Sequence, residues 1–217
     1  MSIKVLLADD HQMMRDGLRA IFEQVPCVEI IGEAADGREA VILSGQLGPD
    51  VIVMDISMPG LNGIEATRRI TTEYPDIKVI ALSMHSDKRY ALEMLDAGAS
   101  GYVLKGAASE ELVRALEAVT DGKSYLSPEI TGIVMGSYVR RNLPAGRSPT
   151  TSLGPREREV LQLLSEGKTS TQIADSLHIS SKTVDTHRRN IMQKLDIHSI
   201  AGLTRYAIRE GLTSLDS

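Results

Sequence analysis

Two folded units are predicted, an α/β doubly wound domain on a five-stranded parallel sheet and then a small all-α four-helix domain, and three observations predict them. The chain has 217 residues, more than one ordinary domain needs. Five short apolar runs alternate with amphipathic stretches between Ile3 and Asp121. Beyond residue 152 only helical patterns survive.

The runs Ile3 to Ala8, Val28 to Ala34, Val51 to Met54, Val79 to Leu82 and Tyr102 to Leu104 read as strands buried on both faces. Helical stretches between such strands imply βαβ units and a covered parallel sheet, with ligands gathered at the carboxyl ends of the strands. Periodicity fades through RRNLPAGRSPTTSLGP, residues 140–155, where Pro, Gly, Ser and Thr concentrate. The expected division is residues 1–127 for the first domain, 128–152 for a linker and 153–217 for the second domain. Helices are expected there over Arg156–Ser165, Ser170–Leu177, Ser181–Leu195 and Ser199–Glu210.

An apolar fraction of 42% and a charged fraction of 24% are those of a soluble globular protein, which excludes fibrous and disordered classes. No window approaches the roughly 20 apolar residues of a membrane span, and the start MSIKVLLADDHQ meets two aspartates too early for a signal peptide. A cytoplasmic location is expected. The single cysteine, Cys27, has no internal partner and reads as a packing residue. The net charge of −5 is uneven: residues 1–127 carry −8, residues 128–152 carry +2 and residues 153–217 carry +1. The carboxy-terminal part therefore permits nucleic-acid binding without demanding it.

The first strand runs into Asp9 and Asp10 and the third into Asp55, so three carboxylates meet at neighbouring strand ends. Such a cluster is unfavourable unless something neutralises it. A hard divalent cation with oxygen ligands suits it, and Mg²⁺ fits better than Zn²⁺ because neither His nor Cys is expected to converge there. Asp55 is then placed to attack phosphorus, since carboxylates form acyl phosphates and phosphoryl transfer needs positioning and charge neutralisation above all. Ser83, after the fourth strand, offers a hydroxyl to a phosphoryl oxygen, and Lys105, after the fifth, a fixed ammonium. Any one of these acids alone reads as a helix cap or a solvated turn residue; together with Lys105 and Ser83 they read as a site.

The segments LLADDH, VIVMDISMPGLNG, ALSMH and GYVLK resemble the receiver family in order and spacing over about residues 3–122, which makes the first domain flavodoxin-like. The resemblance implies that Asp55 is the phosphoacceptor, that Asp10, Asp55 and the backbone carbonyl of Ser57 ligate Mg²⁺, and that Asp9 acts through a metal-bound water. It also makes Ser83 and Tyr102 a switch pair, the hydroxyl turning to the phosphoryl group as the ring moves inward. Plain core is the other reading of Tyr102. Gly106 stands where many receivers carry proline, and Ser83 where threonine is commoner; neither change removes a needed group. His85 reads either as a residue that tunes loss of the phosphoryl group or as a solvated loop residue, and His11 receives no role.

Ser170 to Leu195 reads as a helix, a break at His178 to Ser180 and a second helix opened by Ser181 as N-cap, the layout of a helix-turn-helix. On a helical wheel Val184, Ile191, Met192 and Leu195 form the packing face. The opposite face collects Lys182, Thr186, Arg189, Asn190 and Gln193, all able to hydrogen-bond phosphates or base edges. Asp185 lies to one side of it and would repel phosphate unless it accepts from cytosine or pairs with Lys182 or Arg189. Arg188 falls near the packing edge, its stem along apolar surface and its head toward phosphate.

A polar helix face is most often merely solvated, but the text LGPREREVLQLLSEGKTSTQIADSLHISSKTVDTHRRNIMQKL resembles the LuxR-type helix-turn-helix, with the match running over about residues 152–214. By that resemblance Asp185, Thr186 and Arg189 hold base-contacting positions, and Lys182, Thr183, His187 and Lys194 lie near backbone phosphates. Relatives often carry lysine at the position of Asp185 and threonine at that of Gly154. The two domains together resemble the NarL/FixJ family of response regulators. The final helix, with Ile200, Leu203, Ala207 and Ile208 on one stripe, resembles that family's dimerisation helix or else packs its own core.

The resemblance implies a two-component response regulator and not a turnover enzyme. It further implies that a sensor histidine kinase phosphorylates Asp55 and that phosphorylation controls the binding of double-stranded promoter DNA by a homodimer. The alternative is a constitutive DNA-binding regulator whose receiver is a phosphorylation-independent interaction platform, which would not need all five residues of the set. A phosphohydrolase using Asp55 as covalent nucleophile lacks a visible second acid or base near the first strand.

Overall fold

The computed structural model of the chain describes residues 2–84, 88–107, 109–132, 134 and 153–213. The chain divides into two compact units, Met1–Leu143 and Pro144–Ser217. In the first, β1 (Ile3–Ala8), α1 (Gln12–Phe22), β2 (Val28–Ala34), α2 (Gly37–Leu47), β3 (Val51–Asp55), α3 (Gly63–Glu73), β4 (Lys78–Ser83), α4 (Lys88–Asp96), β5 (Gly101–Leu104), α5 (Ser109–Thr120) and β6 (Tyr125–Leu126) follow in order. The strands pair parallel in one sheet ordered β2-β1-β3-β4-β5-β6.

Successive strand side chains point to opposite faces, so each apolar run serves two cores. Leu6, Ile52, Met54, Val79 and Tyr102 pack on one face with Ala40 of α2, Ile64 and Ile70 of α3, and Met94 of α4. Val5, Leu7, Val53, Ile80 and Leu82 pack on the other with Leu18 and Phe22 of α1 and Leu112 and Leu116 of α5. Burial on both faces is why these strands read as unbroken apolar runs.

The structure departs from expectation in three places in this unit. A sixth strand, β6, lies beside β5, with Tyr102 opposite Leu126; two residues after the turn DGKS are too few to show a strand period. Residues 128–132, expected in the linker, are helical, and Ile130 is fully buried while Val134, one turn on, packs against the same core. An apolar pair four residues apart holds this stretch on the first unit, so a linker beginning at 128 is corrected to a later start. Residues 133 and 135–152 of the expected linker lie outside the described residues, as does His85. Cys27, expected to pack, is exposed; its backbone does the docking, its carbonyl accepting from Ile3 N at 2.7 Å.

The second unit holds α6 (Pro155–Ser165), α7 (Ser170–Leu177), α8 (Ser181–Leu195) and α9 (Ile200–Arg209) around a core that includes Val160, Leu164, Ile173, Leu177, Val184, Ile191, Leu203 and Ala207. These agree with the four expected helices to within a residue at each end. Thr169 and Gln172 form a reciprocal capping box on α7. His178, at φ 51°, ends that helix in the left-handed region and turns the chain toward α8. The N-cap of α8 is Ser180, not Ser181: the backbone at Ser180 is extended and its hydroxyl accepts from Thr183 N at 3.1 Å. Gly154 has no side chain to cap α6, but its N–H donates to Glu157 Oε2 at 2.8 Å and Pro155 follows at the first helical position. The stripe on α9 splits, with Leu203 and Ala207 in the core while Ile200 is exposed and Ile208 half-buried. Among the described residues no helix is long and apolar enough to cross a membrane.

Candidate functional site

Strand register brings the predicted residues to one rim. Ala8 of β1 lies opposite Met54 of β3, so Asp9, one residue past β1, stands beside Asp55, the last residue of β3. Ser83 of β4 pairs with Leu104 of β5, and the next residue, Lys105, donates its backbone N–H to the Ser83 carbonyl at 2.8 Å. The rim is the carboxyl edge of the sheet, where strand order reverses between β1 and β3.

Lys105 Nζ lies 2.7 Å from Asp9 Oδ2 and 3.0 Å from Asp55 Oδ1. All three side chains are almost wholly buried. Burial raises the Asp55 carboxyl above its usual range; Lys105 pulls it back, and the charges of Asp9 and Asp10 push it up again. Burial works against the Lys105 ammonium, but Asp55 and Asp9 outweigh it and raise its pKa. Ser83 is 1% exposed and Tyr102 is fully buried on β5. Ser57, two residues past Asp55, is half-buried.

Asp10 Oδ1 is buried and makes no hydrogen bond. His11 Nδ1 approaches it at 2.8 Å without hydrogen-bond alignment, and lies 3.4 Å from Asp9 Oδ1. A histidine therefore does converge on the acids, against expectation. The cause is local: Asp9 Oδ1 accepts from His11 N at 2.9 Å, which folds the turn so that the ring lies over the pair. The ring remains 71% exposed. Asp9, Asp10 and His11 bring one ligand atom each within 4.8 Å of one another, and Asp55 stands on the neighbouring strand; the carboxylates, one of them with a buried oxygen that makes no hydrogen bond, supply hard oxygen donors that fit Mg²⁺.

Sequence reasoning missed the residue that steadies the end of β1. Arg15 of α1, 8% exposed, donates from Nη1 to the Asp9 carbonyl at 2.6 Å and from Nε to Glu33 Oε2 at 3.0 Å. Glu33, near the end of β2, also takes Arg19. The signal was an arginine on the apolar face of α1, in step with Leu18 and Phe22. Gly63 was likewise passed over. A Cβ there would meet the Asp55 carbonyl oxygen at 1.9 Å, so α3 begins at glycine, with Asn62 capping it through Glu65 N at 2.9 Å.

On α8 the expected faces separate cleanly. Val184 and Ile191 are buried, Met192 and Leu195 pack against the core, and Lys182, Thr186, Arg189, Asn190 and Gln193 are exposed. Thr183, His187 and Arg188 are half-buried. Asp185 pairs neither with Lys182 nor through its side chain with Arg189, which corrects the expected partners. Its Oδ1 accepts from Ser170 Oγ at 3.0 Å and lies 3.3 Å from Arg188 Nη2. The turn at His178 brings the start of α7 against this side of α8, and Arg188 is one helical turn on. Arg188 is thus turned to a carboxylate within the domain. Lys194 is too: its Nζ lies 2.7 Å from Glu157 Oε2.

Residues 5–117 match the response regulator receiver domain, and residues 151–207 match the bacterial regulatory proteins of the luxR family. The chain is similar to the transcriptional regulatory protein LiaR of Bacillus subtilis, at 42% identity over 98% of this chain and 100% of that protein. It is similar to the response regulator UvrY of Escherichia coli K12, at 37% identity over 99% of this chain and 98% of that protein. Among solved structures it is similar to the two-component response regulator RcsB in complex with DNA, with a TM-score of 0.61, 29% identity and coverage of 97% of this chain and 99% of that one. A doubly wound domain with an acidic rim, joined to a helix-turn-helix unit, defines the class of two-component response regulators. The chain belongs to its NarL/FixJ family, whose members are transcription regulators and not turnover enzymes. Receivers of this class bind Mg²⁺ at an acidic pocket and answer to histidine kinases.

Proposed function

We propose that Asp55 accepts a phosphoryl group from a sensor histidine kinase and that this modification controls binding of promoter DNA by the second unit. The observation that carries the reading is the Lys105 ammonium seated between Asp9 Oδ2 and Asp55 Oδ1, all three side chains almost wholly buried. Asp10, Asp55 and the Ser57 carbonyl would hold Mg²⁺, with Asp9 joined through water; when bound, the ion supplies positive charge against the carboxylates and the incoming phosphoryl oxygens. One Asp55 oxygen forms a bond to phosphorus as the bond from phosphorus to the kinase imidazole nitrogen breaks, and that nitrogen leaves with the bonding pair. Lys105 stays within reach of a phosphoryl oxygen, and Ser83 offers its hydroxyl from the adjoining strand. Ser83 and Tyr102, on neighbouring strands at the same edge, are the pair we assign to carry the change outward, a two-state element biased by a new charge.

For DNA, Lys182, Thr186 and Arg189 stand exposed on the outer face of α8 and support direct contact with phosphates and base edges. Thr183 and His187 flank that face. Arg188 and Lys194 already hold carboxylate partners, which argues for a supporting part in each case. RcsB is seen as dimers on DNA, and the exposed Ile200 with the half-buried Ile208 on α9 supports a homodimer here. The receiver is assigned to residues 1–127 together with the helical stretch that follows, and the DNA-binding domain to 153–217.

Retention on a pool of promoter duplexes with Mg²⁺, with and without acetyl phosphate or beryllofluoride, tests the reading for the wild type and Asp55→Asn. Retention that rises with the phosphoryl mimic in the wild type alone is expected. Equal retention in every condition would overturn phosphorylation control and favour a constitutive regulator.

A further inference from the structure

The helix that faces DNA carries one acid, Asp185, among Lys182, Arg188, Arg189 and Lys194. A carboxylate on such a face is costly near phosphate. This one is held from two sides: Ser170 Oγ, from the first residue of α7, donates to Oδ1 at 3.0 Å, and Arg188 Nη2 lies 3.3 Å from the same oxygen. The side chain is 43% exposed, so it is fixed at one oxygen and open to solvent. We propose that Asp185 is a specificity-determining residue of the DNA-reading helix, oriented by Ser170 and Arg188 as an acceptor-only group. Resting on the DNA-binding reading above, the inference adds what the acid selects and what it excludes.

A carboxylate accepts and never donates. In the major groove it is satisfied by the exocyclic amine of cytosine or of adenine and finds no partner on guanine O6 and N7 or thymine O4. The same charge neutralises Arg188, the half-buried cation beside it, and Lys194 at the end of the helix is held by Glu157. Two of the four cations on α8 therefore face acids of their own domain, which weakens binding that depends on phosphates alone. Asp185 thus narrows the choice of sequence in two ways, by requiring cytosine or adenine at one position of the strand it faces and by lowering affinity everywhere else.

The test is selection from randomised duplexes with the full-length protein, activated with beryllofluoride and Mg²⁺. Affinity for the selected site and for a random duplex is then measured over a salt series. Wild type, Asp185→Asn, Asp185→Ala, Ser170→Ala and the double variant Asp185→Asn with Arg188→Gln are compared. In Asp185→Ala, one position per half-site where the wild-type selection requires cytosine or adenine on the contacted strand should lose its preference by about tenfold. In Asp185→Asn, random-duplex affinity should rise and the slope of log affinity against log salt should steepen by about one phosphate contact. The double variant should return that slope to the wild-type value, because Arg188 supplies the contact. Ser170→Ala should relax the same base pair in part, a response that simple loss of folding would not confine to one position. Unchanged selections and slopes in every Asp185 variant would overturn the inference while leaving DNA binding intact. A wild type that binds no duplex would overturn the DNA-binding reading and this inference together.

Discussion

Gly63 presses on the backbone of Asp55: a Cβ at position 63 would sit 1.9 Å from the Asp55 carbonyl oxygen and 3.0 Å from the Ile56 Cα. The contact is reinforced by Gly63 N donating to the Ile56 carbonyl at 2.9 Å. Because the neighbour is backbone, a methyl can be fitted only by moving the loop that carries Asp55. Gly63→Ala should lower stability by about 1–3 kcal/mol in urea unfolding. It should also slow acyl-phosphate formation from acetyl phosphate well beyond what the unfolded fraction explains. A variant that unfolds earlier yet accepts phosphate at the wild-type rate would show that the loop is not held by this contact.

Asp55 sits above its usual pKa, with burial the largest cause. A raised carboxyl contributes stability that is complete below the unfolded pKa and is lost as pH rises through the folded value. At neutral pH the ionised side chain therefore costs stability. Asp55→Asn should melt a few degrees above the wild type at pH 7, with the gap closing toward about pH 4. Equal melting curves at both pH values would mean that Lys105 fully offsets the buried charge.

Mg²⁺ should act on the same imbalance. In the wild type, added Mg²⁺ should raise the melting temperature of the receiver, because a ligand held by the folded state alone stabilises it. Asp10→Asn should remove most of that response while leaving the Lys105 contacts in place. A full response in Asp10→Asn would place the ion elsewhere.

Glu157 links the start of α6 to the end of α8. Burial would raise its carboxyl, but Lys194 and the Gly154 N–H hold it below the usual range. A lowered carboxyl gives stability above the unfolded pKa and loses it as pH falls through the folded value. Glu157→Gln should therefore cost the second unit about 1 kcal/mol at pH 7 and progressively less below about pH 4.5. The half-exposed Lys194 can rehydrate, which keeps the cost small.

The architecture was largely legible because its strongest signals are local. β1 and β2 begin and end where their apolar runs do, and α7, α8 and α9 each start at a side chain that caps them, Thr169, Ser180 and Ser199. β3, β4 and β5 run past their apolar runs to take in Asp55, Lys78, Ser83 and Gly101, since a ladder is built by backbone groups whatever the side chain. The acidic rim was legible from strand ends, but its supports were not. Arg15 reaches the Asp9 carbonyl only because α1 returns across β1, and Ser170 reaches Asp185 only because His178 turns the chain back. Asp9 and Arg15 lie only six residues apart and Ser170 and Asp185 fifteen, yet each pairing depends on how one element turns back on the next, which no hydrophobic period announces.

The pair between Lys105 and Asp9 spans 96 residues of chain. It cannot form until β1, β3, β4 and β5 have all been laid side by side, after the loop-closure entropy of those crossovers has been met. The crowding of buried charge is thus confined to the completed sheet and is absent while the chain is still searching for its topology. Changes that relieve the acids should accordingly lengthen the lifetime of the folded receiver rather than hasten its formation.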